Sequence, residues 1–334
     1  MTASSIRFTT ATSNSTTSSR NFTRPSEEVS PGVLAVLPPL PAGAQADRLA
    51  LARWLIDPKN PLTARVIVNR VWQQYFGRGL VSTENDFGTM GRLPTHPELL
   101  DWLAVDFMEH GWSLKHLHKL IVTSATYQQS SVVRQSSSQI DPNNELLWRQ
   151  NRLRLDAEIV RDVCLATSGL LSPKMGGAPV YPPIPEGVMS LGQVKRAWPL
   201  SKGSDRYRRG IYTFIFRATP PPALSVFDAP DGFSTCTRRI RSNTPLQALT
   251  LLNDSAYVEF AQALAARLIK EAKSDEARIT LAYQLCLSRP PFDNERLALS
   301  RLLTVERQSK ATEPQAWQAV SRVMLNLDET ITRE

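Results

Sequence analysis

The sequence predicts a mainly α-helical globular protein with a long irregular middle and at most a small β element. Helix-start signals follow one another closely from Asp47 onward, each with apolar residues at three- and four-residue spacing behind it. Only one run, residues 211–217 (IYTFIFR), has the aromatic and β-branched character of a strand. Over residues 172–210, proline and glycine are too frequent for a regular element.

Residues 1–24 are rich in Ser and Thr and offer almost no apolar surface to offset ordering entropy, so they read as a disordered, low-complexity head. Residues 25–46 read as an extended lead-in, where the prolines of VLAVLPPLP forbid a helix. The helical domain is expected over 47–334, with a subdivision near 172–210 left open. Asp47 caps a short helix through Trp54, and Asn60-Pro61 opens a longer one with Ala64, Val68, Val71 and Tyr75 on one face. Thr95-His96-Pro97-Glu98 has capping-box spacing ahead of Leu99, Leu103 and Phe107. Ser113 starts a helix carrying Leu117, Leu120 and Ile121, and Asp156 one whose stripe reads Ile159, Val163, Ala166 and Leu170. The residues that open the segment 172–210 lead into a stretch long enough to act as a lid or binding loop. Asp254, Asp275, Asp293 and Glu313-Pro314 mark the later starts, with Val258, Ala261, Leu264, Ala265, Leu268, Ile279, Leu297 and Val320 inward.

Lys and Arg exceed Asp and Glu by 39 to 31, for a net charge of +8 and a pI near 9.6. That balance favours acidic partners but bears on association rather than fold. Basic clusters at residues 206–209 and 238–241 come with no recognised nucleic-acid motif, so nucleic acid is the least favoured partner. Three widely spaced cysteines give neither a disulfide framework nor a CxxC pair, and no CxxCH is present, so no haem or other cofactor is expected in this chain. No apolar run reaches membrane-spanning length and the first residues lack a signal peptide's apolar core. Expressed alone, the chain reads as soluble and cytoplasmic.

The densest polar chemistry lies in residues 228–253. Thr244-Pro245-Leu246-Gln247 is the best-marked helix start, a capping box with proline at the first helical position. Just upstream stand Asp228, Asp231, Cys236, Arg238, Arg239, Arg241 and Asn243. Arginines beside the amino end of a helix can hold an anion, which makes Arg238, Arg239, Arg241, Asn243 and Thr244 candidate binding residues. The favoured reading of the same residues is a loop pinned to the helix by ion pairs between Asp228, Asp231 and the arginines. Asn69 and Gln73, four apart with Trp72 beside them, form a polar and aromatic helix face able to stack on a sugar ring, or a buried helix contact. Asp228, Asp231 and His96 are the candidate catalytic residues should the protein be a carboxylate-based hydrolase acting on polysaccharide. His116 and His118 diverge on a helix and no HExxH-like spacing occurs, so no metal site is expected. Serine-nucleophile elbows, phosphate loops and dinucleotide fingerprints are absent from the sequence too.

The blocks RLALARWLIDPKNPLTARVIVNRVWQQYFGRGLV (48–81), NDFGTMGRLPTHPELLDWLA (85–104), GWSLKHLHKLIVTSATYQQSS (111–131), DAPDGFSTCTRRIRSNTPLQALTLLND (228–254) and the closing NLDETITRE resemble the planctomycete-specific PSD-one domain, a domain of unknown function. The resemblance runs in order from about Glu28 to Glu334. It implies a domain at the end of long exported proteins, behind a c-type cytochrome module and a second planctomycete-specific domain, and hence a periplasmic or envelope setting. Those modules and a signal peptide are missing here, so the chain reads as a truncated gene product. The expected function is a binding or scaffold domain that recognises an anionic or carbohydrate ligand, or a partner such as a c-type cytochrome module or envelope protein. The polysaccharide hydrolase is the alternative.

Overall fold

The computed structural model describes residues 14–17, 25–190 and 196–333 of the chain, which divides into two compact units, 1–150 and 151–334. Most of the expected disordered head lies outside the described residues. Of the head, β1 (Asn14–Thr17) is described, and it pairs antiparallel with β2 (Pro25–Val29) at the start of the lead-in. The architecture is mainly α, as the helix signals predict, and β pairing among the described residues is confined to short ribbons and single bridges. No helix among the described residues is long and apolar enough to cross a membrane.

In the first unit, α1 (Arg48–Leu55) starts where the Asp47 carboxylate accepts from the Ala50 amide at 2.8 Å, and the Trp54 indole donates back to Pro38 O of the lead-in at 2.6 Å. Helix α2 (Thr63–Phe76) begins later than Asn60-Pro61 suggests. The Asn60 side chain accepts from the Leu62 and Thr63 amides, holding a turn ahead of the helix. Helix α3 (Pro97–Glu109) starts without the expected capping box, because the Thr95 amide and hydroxyl both turn to Leu80 O and His96 takes the cap position. Its deepest residues are Leu100, Leu103, Ala104 and Phe107 rather than Leu99. Ser113 caps α4 (Leu114–Val122) as predicted, and the short α5 (Ala125–Gln128) and α6 (Gln135–Ile140) complete the unit. Val68, Phe76, Leu103, Phe107, Leu117 and Ile121 form its core.

In the second unit, β3 (Leu153–Arg154) pairs antiparallel with β4 (Thr332–Arg333) and leads into α7 (Ala157–Thr167). The buried stripe of α7 is Val160, Cys164 and Leu165, one position off the sequence expectation; Ile159 and Ala166 face outward. Two apolar stripes compete on this helix, and the one carrying Cys164 reaches the core. Residues 211–217 do not form a strand. Gly210–Tyr212 is instead a 3-10 turn whose Gly210 amide donates to Asp162 at 2.6 Å, and a Cβ on Gly210 would lie 2.6 Å from Glu158 O. With this close seating on α7, pairing with the preceding segment among the described residues is a single parallel bridge, Val180 to Thr213.

The Pro/Gly-rich segment is riveted by Arg208, which is 1% exposed, stacks on the Tyr212 ring and donates to the carbonyls of Gly176 and Ala178. Tyr181, Trp198, Phe214 and Phe216 pack ring against ring over it. After α8 (Pro222–Val226) come α9 (Pro245–Asn253), α10 (Ser255–Glu271), α11 (Asp275–Leu287), α12 (Asp293–Gln308), α13 (Glu313–Asn326) and α14 (Asp328–Ile331). Phe260, Leu264 and Leu268 meet Trp317, Val320 and Met324 at the centre of this unit. Leu297, expected inward, is 51% exposed.

Asn69 is tightly held in the first unit. Fully buried, it donates to Val81 O at 3.0 Å and accepts from Val81 N at 2.8 Å, standing in for a strand partner. Asn69→Ala leaves both backbone groups buried without that partner and is expected to cost about 2–4 kcal/mol in urea unfolding, whereas Leu297→Ala should stay within about 0.5 kcal/mol.

Candidate functional site

Asp228 adopts a left-handed backbone with φ of 60°, a conformation that Asp tolerates better than most side chains. The turn aims its carboxylate at Ser242, whose amide donates at 2.8 Å and whose hydroxyl lies 2.8 and 3.0 Å from the two oxygens. Arg154, 8% exposed, donates to the same carboxylate at 2.6 Å and to the carbonyls of Phe227 and Ser242. Residues 229–241 therefore leave and return through one neck, the arrangement of an Ω-loop. Gln247 secures the neck to α9: it is buried, its amide donates to Val226 O at 2.9 Å and to the Ser242 hydroxyl, and its oxygen accepts from the Thr244 amide at 3.4 Å. The helix starts at Pro245, as the capping-box spacing predicts.

A second set of contacts holds the loop's flank. Arg239 makes a bidentate pair with Glu158 at 2.5 and 3.0 Å, and Arg241 reaches Asp156 at 3.3 Å. Both carboxylates stand at the amino end of α7, where negative charge is favourable. The arginines are thus ion-paired, but with α7 rather than with Asp228 or Asp231. Asp231 is exposed and accepts from the Phe233 amide at 2.9 Å, shaping the outer turn. Asn243 donates to Asp328 at 3.4 Å. Arg238 and Cys236 are exposed, with the Cys236 thiol donating to Arg238 O at 3.4 Å. Phe233 and Ile240 also lie outside, 68% and 75% exposed.

The other predicted site residues fall elsewhere. Asn69, Trp72 and Gln73 are 0%, 5% and 3% exposed, so that helix face packs inward rather than lying open to a sugar. His96 belongs to the first unit, half-buried with Nδ1 2.9 Å from the Thr95 hydroxyl, while Asp228 and Asp231 belong to the second. The basic cluster at 206–209 is internal wiring: Arg206 and Tyr207 both bind Glu259, Arg209 binds Asp162 and Arg208 is buried. Sequence reasoning missed Arg154, Asp156, Glu158 and Ser242, the groups that hold the loop. The one local signal was acidic residues at the start of α7.

The segment expected to act as a lid covers a cavity of about 30 Å³ bordered by Arg161, Pro182, Thr213, Asp254 and Tyr257. Burial lowers the Arg161 pKa and raises those of Asp254 and Tyr257. Perturbed groups in a cavity are a usual mark of a functional site, but this volume admits a water-sized guest and not a sugar ring.

Burial works against ionisation of Asp228, yet the Ser242 amide and hydroxyl and the Arg154 guanidinium outweigh it and hold the carboxyl below its ordinary 3.8. For Glu158, burial is likewise outweighed by Arg239 and by its own amide, keeping it below 4.5.

A family model described as PSD1, protein of unknown function (DUF1553), matches residues 47–303. No curated protein and no solved structure matches the chain.

Carboxylates with lowered folded pKa values add stability that is complete above their unfolded values and is lost as pH falls through the folded ones. The melting temperature should therefore drop below about pH 4, and Asp228→Asn should lower the neutral plateau while making the acid limb shallower. Arg239→Glu sets like charges against Glu158 and Asp156 and is expected to cost about 2 kcal/mol or more in chemical unfolding.

Proposed function

The chain belongs to the PSD1 family of proteins of unknown function, and we propose that it is a non-catalytic binding or scaffold domain that recognises a partner protein through residues 229–241. One observation carries the reading. A loop fixed at its neck by Arg154, Asp228 and Ser242 and on its flank by Arg239 and Glu158 presents Phe233 and Ile240 to solvent, with exposed Arg238 in the same stretch. Loops positioned by a rigid frame are frequent binding elements, and ordering the loop beforehand removes an entropic cost of association. Exposed apolar residues beside arginine are the usual composition of an interface centre. By its family resemblance, the partner is a c-type cytochrome module or another envelope protein of the same planctomycete assembly.

The hydrolase alternative draws less support. A general acid needs a raised pKa, whereas Asp228 is held low and spends its acceptor capacity on Ser242 and Arg154.

Calorimetric titration of the full chain with the purified c-type cytochrome module tests the proposal. Ile240→Glu and Phe233→Ser should each weaken binding at least about tenfold, roughly 1.4 kcal/mol, with the melting temperature nearly unchanged. Binding of acidic glycans in place of the cytochrome module would reject the partner-protein reading. Failure to bind either, or indifference to both substitutions, would reject the loop as the recognition element.

A further inference from the structure

The first unit holds a group of side chains with metal-binding chemistry. Asp106 and His110 lie four residues apart at the carboxyl end of α3 and so share a face. The chain then turns through Gly111 and Trp112, with φ of 64° and 60°, and the Trp112 amide bonds back to Phe107 O at 2.9 Å. The Trp112 ring packs edge-on against Phe107, with centroids 5.3 Å apart, and Ser113 caps α4 by accepting from the His116 amide. Backbone turn, aromatic anchor and cap together bring the first turn of α4 over the end of α3. His116 Nε2 lies 2.8 Å from one Asp106 oxygen and His110 Nδ1 3.3 Å from the other. The two imidazoles stack with centroids 3.8 Å apart, and the three groups' ligand atoms all lie within 4.8 Å of one another.

We propose that Asp106, His110 and His116 form a binding site for a divalent transition metal, zinc above all, that staples the α3–α4 turn. Two imidazole nitrogens and one carboxylate oxygen are a zinc-type donor set, while magnesium and calcium demand oxygen ligands. Zinc bonds of about 2.0–2.2 Å at tetrahedral angles place donor atoms roughly 3.3 Å apart, close to the 2.8 and 3.3 Å separations of the two histidines from Asp106. The ion replaces the shared contacts with Asp106 and tilts the stacked rings so that their lone pairs converge. His110 has room to move, its side chain being 49% exposed. Its Nδ1 also sits 2.9 Å from Asp106 O, a contact the imidazole gives up when Nδ1 loses its proton and turns its lone pair to the ion. Water completes the coordination. Spacing along the sequence points away from a metal because His116 and His118 diverge on one helix, whereas the partners of His116 are Asp106 and His110 at the end of the preceding helix.

The test uses the full chain carrying Cys236→Ser, which removes an exposed thiol that would itself bind metal, after treatment with a chelator. Titration with cobalt(II) should give visible d–d absorption saturating at one ion per chain. Zinc should displace the cobalt and raise the melting temperature, as any ligand of the folded state does. His110→Gln, His116→Gln and Asp106→Asn should each weaken binding at least about tenfold, and His96→Gln should leave it unchanged. His110 is exposed and outside the core, so loss of binding in His110→Gln with an unaltered circular dichroism spectrum is not loss of fold. No cobalt or zinc binding in the micromolar range, or binding that the three ligand substitutions leave intact, would overturn the proposal.

Discussion

The buried guanidinium of Arg154 organises the 229–241 loop of the second unit. Arg154 leaves the short β3 ribbon, lies over the Phe227 ring and spends its donors on Leu155 O, Phe227 O, Ser242 O and the Asp228 carboxylate. A charge removed from water is costly unless opposite charge and hydrogen bonds compensate it, and here both ends of the 229–241 loop supply that compensation. The interaction works in the other direction too. Asp228 holds a backbone conformation that is unfavourable for most residues, and the surrounding donors over-determine it.

From that neck the loop's remaining geometry follows. Arg239 and Arg241 turn toward the acidic first turn of α7, and Gln247 ties the neck to α9, so two helices fix a segment without regular structure of its own. The basic composition of 238–241 is in good part spent internally, and so is that of 206–209. A positive net charge consequently says less about partners than the arithmetic suggests. What the loop offers outward is more apolar than its sequence implies, because Arg239 and Arg241 are drawn inward while Phe233 and Ile240 are not.

The fold class was legible because it rests on local signals. Ser113, Thr244 and Asp254 stand at helix starts where short-range chemistry puts them, and each is read from three or four residues. Burial is a tertiary property and was less legible. Asn69 and Gln73 read in sequence as an open sugar-binding face or a buried helix contact, and only the Leu80–Val81 turn over Asn69 decides for the second, while on α7 a stripe one position away from the expected one is the inner one. The site was partly legible. Its basic and acidic residues were visible, but Arg154 lies 74 residues from Asp228 and Glu158 lies 81 from Arg239. No pattern of spacing announces such partners. The Asp106 cluster escaped notice for a similar reason, since two left-handed residues after α3 bring His116 back to a carboxylate ten positions earlier.

The loop's dependence on distant residues decides how the protein can be dissected. Closing such long stretches of chain must precede the contacts that reward it, so the loop's shape is acquired only once β3 and α7 are in place. A peptide copying residues 228–244 would carry every outward-facing side chain and none of the framework that aims them. A fragment beginning after α7 would share that defect, which makes the whole second unit the smallest piece in which the loop's conformation can be studied.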